Sequence, residues 1–329
     1  MTDSLKRFAF GVAATALTAL TIGAANAQTY PTKPVSIVVP FAAGGPTDTV
    51  ARQVGQAMEK TLGQPVVVEN KPGAGGTLGA AEVARAQPDG YRLLVWHIGM
   101  STAPALYRRL SFDPLKDFEY IGLINDVPMT ILARSDLPAK DLKELVAYAK
   151  ANQSKVTLAN AGLGAASHLC GLMFQQAIAT DLTTVPYKGT APAITDLIGG
   201  QVDILCDQTT NTTQQIKAGK VKAFALTASK RLDSLKDLPT AAEGGLQGME
   251  LGIWHAMYAP KGTPKPVVDK LVSALQTALT NPDLQKRFAD LGSVIYPVSM
   301  QTPEGLAKHL KSEIDKWGPV IKKAGVYAD

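Results

Sequence analysis

Along this chain one order of residues recurs: a short β-branched run, a break at Gly or Pro, then a helical periodicity entered through Thr or Ser. Val35, Ile37, Val38 and Val39 predict a strand that stops at Pro40. Gly44-Gly45-Pro46 supplies a turn, and Val50, Val54, Ala57 and Met58 mark one face of a helix that starts around Thr47-Asp48-Thr49. Pro65 to Glu69 predicts a second strand, followed by the glycine loop Asn70–Thr77 and a helix from Leu78 to Ala86. Tyr91 to His97 predicts a third strand, with Gly99, Ser101 and Thr102 just past its end. Strands joined in this way by helical crossovers predict a largely parallel sheet, with the loops gathered at the carboxyl ends of its strands. Ligands of open α/β sheets bind outside that edge.

The pattern then changes and returns. Tyr120 to Ala133 is apolar throughout and predicts a strand or a crossover, and Leu142 to Lys150 a helix. Val156 to Ala159 predicts a strand, Asn160–Ala166 a second small-residue loop, and Ser167-His168 the start of a helix through Ile178. Thr184–Gly189 leads into a helix from about Ala191 to Ile198, Val202 to Cys206 is a strand, and Asp207-Gln208-Thr209-Thr210 opens another helix before the strand Val221–Thr227. Leu251–Pro260 reads as a returning strand, and the tail from Pro266 to Lys323 as helices capped by Thr280-Asn281-Pro282 and Thr302-Pro303-Glu304. The halves share no fixed-period repeat; they predict two α/β lobes, each aiming a helix N-terminus at a common cleft.

A strand, a glycine loop and a helix start leave unpaired N–H groups and a positive dipole end at one spot, which favours an anion. The first loop lacks the Lys-Ser/Thr ending of a P-loop and the G-x-G-x-x-G spacing, so a small carboxylate fits it better than a nucleotide. Each loop taken singly is also explained as a tight turn before a helix. Asp48 and Asp207 each read either as local structure or as groups facing a ligand.

The N-terminus changes the compartment. Lys6 and Arg7 precede an apolar run from Phe8 to about Ile22, and Ala25-Asn26-Ala27 offers a cleavage site before Gln28. Residues 1–27 therefore predict a secretory signal peptide cleaved after Ala27 and an exported mature protein, which the family resemblance below places in the periplasm. The formal charge of the 329-residue chain is +5, and removal of the peptide lowers it by one. A charge so small and dispersed predicts no nucleic-acid partner. In an oxidising compartment Cys170 and Cys206 read as a disulfide or as two small buried hydrophobes.

No catalytic signature is present: H-E-x-x-H, G-x-S-x-G and C-x-x-C are all absent. His97, His168, His255 and His309 share no metal-like spacing, so neither a metal nor a cofactor is expected, and His309 on a charged helix predicts a solvent-exposed ring. Trp254 reads as core filling or as an aromatic wall, and Tyr187 and Lys188 as contact or rim positions.

The segments PFAAGGPTDTVAR, VENKPGAGGTLGAAEVARAQPDGYRLL, SHLCGLMFQ, VPYKGTAPAITDLIGGQVD, IKAGKVKAFALT and WHAMYAPKGTP together resemble the tripartite tricarboxylate transporter substrate-binding receptors, the Bug-type periplasmic receptors. The resemblance covers the mature chain. It implies an α/β type II periplasmic-binding-protein fold: two lobes joined by two crossovers, closing on a small organic anion. Residues 28–125 and 253–329 would form lobe 1 and residues 126–252 lobe 2. The family's contacts fall on Phe41, Gly45, Pro46, Thr47 and Asp48, on His97, Ile98, Gly99 and Ser101, and on Gly162, Leu163, Gly164, Ala165, Ser167 and His168, with Tyr187, Lys188 and Asp207 nearby. Trp96 stands where many relatives have Ser or Thr, and Ala165 where many have Ser, which makes the pocket less polar. The expected role is a monomeric, non-enzymatic receptor that delivers a mono- or dicarboxylate to a tripartite membrane permease. A histidine-kinase ectodomain is an alternative partner, and an exported enzyme on the same fold the remote alternative.

Overall fold

Val35–Val39 forms β1, in which only Ser36 is not fully buried, as in a strand covered on both faces. The computed structural model describes residues 30–328, so the expected signal peptide lies outside the described residues. Residues Met1–Thr32 are one unit, of which Tyr30, Pro31 and Thr32 are described, and Lys33–Asp329 are a second. No helix among the described residues is long and apolar enough to cross a membrane.

In the larger unit, β1 is followed by α1 (Pro46–Leu62), β2 (Val66–Asn70), α2 (Thr77–Ala84), β3 (Arg92–His97) and α3 (Gly99–Leu106). A long strand, β4 (Phe118–Arg134), leads to α4 (Leu142–Ala151), β5 (Thr157–Asn160), α5 (Ala166–Ala177), β6 (Thr183–Pro186), α6 (Thr190–Ile198), β7 (Ile204–Gln208), α7 (Thr209–Lys217) and β8 (Val221–Leu226). The chain returns through β9 (Gly252–Pro260) and ends with α8 (Lys265–Leu279), α9 (Pro282–Asp290), β10 (Val294–Ile295) and α10 (Pro303–Ala324).

The strand order is β2-β1-β3-β9-β4-β7-β5-β6, with β8 and β10 also paired to β4. The sheet is mixed rather than largely parallel. β1 lies parallel to β2 and β3, and β5 parallel to β6 and β7, because helical crossovers join these strands. β9 is antiparallel to β3 and β4, and β4 is antiparallel to β7 and β8. The reason is that β4 and β9 carry the chain in opposite directions between the two parallel sets. At a rise of ~3.3 Å per residue, β4 runs for about 55 Å. Its first part, to Pro128, pairs with β9, and its last part, from Met129, pairs with β7 and β8. The two lobes thus share β4 and β9.

α3 forms where the residue pattern predicts only the end of a strand. Gly, Ser, Thr and an internal Pro104 give it poor helix propensity, but Met100, Ala103 and Leu106 are fully buried, so packing decides. The tail behaves as expected: α8 packs on α1, and α10 on α3 and β4. Asn281 and Thr302 accept N–H bonds at the starts of α9 and α10. His309 is not solvent-exposed; its ring packs edge-on to Trp254 at 4.9 Å and against Tyr296 at 5.7 Å. Trp254 is a core side chain, with its indole N–H directed to Glu313.

Candidate functional site

Four helices start around one cavity. α1 begins after Gly45, α5 after Ala165, α6 after Gly189 and α7 after Gln208, and no side chain caps any of them. The cavity lies between the two lobes. Gly45, Pro46 and Thr47 contribute from α1, and Ala165, Ala166 and Ser167 from α5. Thr190, Asp207 and Gln208 line it from α6 and β7, with Phe41, His97 and Ala161 completing the wall. Lys and Arg are absent from this lining. Each helix start contributes partial positive charge and first-turn N–H groups, which together suit an anion without a full countercharge. Two buried polar atoms in the wall, Thr190 Oγ1 and Gln208 Oε1, make no hydrogen bond within 3.5 Å. Buried polar atoms of this kind ordinarily have a partner.

The first lobe's loop is held from behind. Asp48 accepts from the Gly44 N–H, Arg52 Nε and Asn70 Nδ2, each at 2.9 Å, and Asn70 also donates to the Phe41 carbonyl. Burial opposes its charge, but these donors win and hold the Asp48 carboxyl below the usual carboxylate range. Asp48 therefore organises the loop; its side chain is spent and does not face the cavity.

His97 stacks on Phe41, with ring centroids 4.9 Å apart. Its Nδ1 accepts the Gly99 N–H at 2.9 Å, so the neutral ring carries its proton on Nε2. Burial pulls its pKa down to about 3, which keeps the ring neutral and a donor at physiological pH. Behind it, His255 is fully buried and likewise held neutral, with Nε2 3.3 Å from Thr47 Oγ1. In the second lobe Ser167 Oγ accepts the Ala161 N–H at 2.8 Å, fixing the loop before α5.

Asp207 is the one acidic group in the wall. Its carboxylate accepts from the Gln208 N–H at 2.8 Å and from Asn211 Nδ2 at 2.5 Å. Burial pushes its pKa up to about 6 against the lowering effect of Asn211, Gln208 and the nearby Thr190 hydroxyl. Close by, Cys170 on α5 and Cys206 on β7 are joined as a disulfide with Cα atoms 6.0 Å apart.

The lobes touch beside the cavity through a seam of main-chain groups. The Ala42 N–H donates to the Lys188 carbonyl at 2.9 Å. Tyr107 Oη donates to the Leu163 carbonyl at 2.8 Å, and Thr102 Oγ1 lies 3.3 Å from the Gly164 carbonyl. At Gly75, with φ of +60°, a Cβ would overlap the Leu163 carbonyl oxygen, so only glycine permits this approach.

Of the residues expected at the site, the structure gathers Phe41, Gly45, Pro46, Thr47, His97, Ala165, Ser167 and Asp207 around the cavity. Gly162, Leu163, Tyr187 and Lys188 instead border a separate recess along the seam. Tyr187 is turned to Asp196, with Oη 2.7 Å from Oδ2. Ile98, Gly99 and Ser101 are buried behind His97 in the first turn of α3, where Ser101 Oγ donates to the Ile98 carbonyl. Gly164 and His168 are paired with each other, N–H to Nδ1 at 3.3 Å. Ala161, Ala166, Thr190 and Gln208 are the lining residues that sequence reasoning missed. Thr190 could have been found: Gly189-Thr190 repeats the small-residue-then-Thr entry of α1.

The family model of the tripartite tricarboxylate transporter family receptor matches residues 50–326. A protein of Agrobacterium vitis, described as a UPF0065 protein in the TAR-I ttuE-ttuC' intergenic region, is 55% identical over 302 residues, covering 92% of this chain and 87% of its own. The solved periplasmic binding protein BugD is 57% identical, with a TM-score of 0.89, over 91% of this chain and all of its own. MatC from Rhodopseudomonas palustris, solved with bound malate, is 43% identical with a TM-score of 0.86, over 89% of this chain and all of its own. A lobed fold whose helix starts converge on a cation-free cavity, matched by this family over nearly its whole length, makes the chain a member of the tripartite tricarboxylate transporter receptor family.

Proposed function

We propose that this chain is a periplasmic receptor that encloses a small dicarboxylate of the malate class and delivers it to a tripartite membrane permease. The observation that carries the reading is the convergence of four uncapped helix starts on a buried cavity whose lining holds neither Lys nor Arg. The malate-bound relative supports the ligand class. The ligand's carboxylates would take the helix-start N–H groups of Thr47, Ser167 and Thr190, with the Thr190 hydroxyl, the Gln208 amide and the His97 Nε2–H as side-chain partners. Lobe 1 would comprise residues 28–125 and 253–329 and lobe 2 residues 126–252, hinged on β4 and β9. A ligand that touches both lobes binds the closed arrangement more tightly than the open one, and this difference moves the population.

Thermal unfolding with L-malate, adipate, citrate, glucose and putrescine tests the reading. A ligand at a hundredfold excess over its Kd adds about 2.7 kcal/mol of stability. Malate or another dicarboxylate should therefore raise the melting temperature by about 5 °C. Stabilisation by the sugar or the amine alone, with every carboxylate inert, would refute the proposal.

A further inference from the structure

A receptor for an anion has no evident use for a carboxylate in its cavity wall, yet Asp207 is there and is 1% exposed. Its surroundings supply hydrogen bonds but no countercharge. From β4, the Thr130 hydroxyl donates to the Asp207 backbone carbonyl. Asn211 on α7 donates to the carboxylate, and Thr190 on α6 stands beside it. β5 brings the apolar Leu158 and Ala159. On α5, His168 is engaged with Gly164 and is held neutral by burial, its pKa pulled down to about 4. On α6, Asp196 is occupied by Tyr187. Across the cavity, His97 is neutral and Asp48 is paired with Arg52. An ionised ligand in the cavity that Asp207 lines would lie against the Asp207 carboxylate. Two carboxylates in one desolvated site do not both stay ionised; one keeps a proton, shared between them.

Resting on the carboxylate reading above, we infer that Asp207 holds a proton while a dicarboxylate occupies the cavity, so that the receptor takes up one proton from solvent with each ligand and the Asp207 carboxyl donates a hydrogen bond to the ligand. The raised pKa of the free group, about 6, lowers the cost of that uptake. Linkage fixes the sign. Above the pKa of free Asp207 the bound state carries one proton more than the free state, so affinity falls by about tenfold for each unit of rising pH. Below it, Asp207 is already protonated and the dependence flattens.

The test is calorimetric titration of the protein with L-malate in phosphate and in Tris, whose ionisation enthalpies differ, repeated from pH 7 to 8.5. Carboxylic acids with pKa values of about 4 are fully ionised throughout this range, so the ligand contributes no proton of its own. The expected result is an uptake of one proton per malate and a Kd that rises tenfold per pH unit, with both effects abolished in Asp207→Asn. Tight malate binding with no proton uptake would overturn the inference while leaving the proposed function standing. Uptake that persists in Asp207→Asn would also overturn it, and loss of that uptake in His97→Gln would then assign the proton to His97. If malate does not bind, the titration is made with whichever dicarboxylate raises the melting temperature, and absence of binding by every dicarboxylate at every pH would refute both. Because the proton count of the unmodified protein decides the first of these outcomes, the inference stays testable even if the Asn variant fails to fold.

Discussion

The helix starts of this molecule fall into two groups. At α4, α9 and α10 a side chain closes the first turn: Asp141 accepts from the Glu144 N–H, Asn281 from the Asp283 and Leu284 N–H groups, and Thr302 from the Gly305 N–H. At α1, α5, α6 and α7, which meet at the cavity, no side chain does so, although Thr47, Ser167, Thr190 and Thr209 stand one or two residues away. α2, α3 and α8 also lack such a cap, but none of them starts at the cavity, so being uncapped does not by itself mark a site. What the contrast teaches is that convergence matters: four uncapped and buried starts aimed at one space withhold from folding an interaction that a ligand can complete. A cap is commonly worth about 1 kcal/mol, so the omission is appreciable against a net stability of ~5–15 kcal/mol.

The comparison can be broken in three places. The largest effect should come from the disulfide that ties the uncapped α5 to β7, the strand that leads into the uncapped α7. It closes a loop across a sequence separation of 36. For a loop of that size the double variant Cys170→Ala/Cys206→Ala should lose about 3–4 kcal/mol in urea unfolding. A loss below 1 kcal/mol would show that the cavity wall does not depend on this tie.

Next in size, Gly75→Ala should block the approach of the two loops, since its Cβ collides with a main-chain oxygen that cannot swing away. Malate affinity should fall by about a hundredfold, because the closed population that binds is depleted. Unchanged affinity in calorimetry would mean that the seam plays no part in binding.

The smallest effect sharpens the contrast directly. At Gly45 φ is −83° and a Cβ finds no neighbour nearer than 3.6 Å, so Gly45→Asp fits and supplies α1 with the missing cap. Such a cap should leave folding stability unchanged or raise it by a few tenths of a kcal/mol, while its carboxylate competes with the ligand and lowers malate affinity at least about tenfold. Thr302→Ala, at a capped helix far from the cavity, should do the reverse: about 1 kcal/mol less stability and the same affinity. Parallel chemical denaturation and malate titration of the two variants separate the outcomes, and a Gly45→Asp protein that binds malate normally would remove α1 from the site.

Much of this arrangement is legible in the residues. Strand, small-residue loop, then Thr or Ser is a local grammar, and it points to Gly45, Pro46, Thr47, Ala165 and Ser167, which line the cavity. Thr190 follows the same grammar and lines the cavity, whereas the more conspicuous Tyr187 and Lys188 border the recess along the seam. Period-two alternation on β3 explains why His97 reaches the cavity wall while Trp96 packs away from it, against Gly76 and Gly99. Ile98, Gly99 and Ser101 lie off the cavity lining because a helix of weak propensity turns them beneath the strand end, and only tertiary burial makes that helix. The antiparallel placement of β9 depends on contacts between residues more than a hundred positions apart, as in His97 opposite His255, which no local pattern encodes.

The seam has one more consequence. The groups that join the lobes there are largely main-chain atoms, the Ala42 N–H and the carbonyls of Leu163, Gly164 and Lys188, whereas the cavity lining includes side chains such as Thr190, Gln208 and Asp207. The side chains that vary the cavity wall are therefore not the groups that hold the seam. Side chains in the wall can be exchanged to suit a new solute without disturbing the contacts that hold the lobes together. On the proposed function, how long a bound molecule stays would instead be tuned at Tyr107 or Thr102, which touch the seam and do not line the cavity.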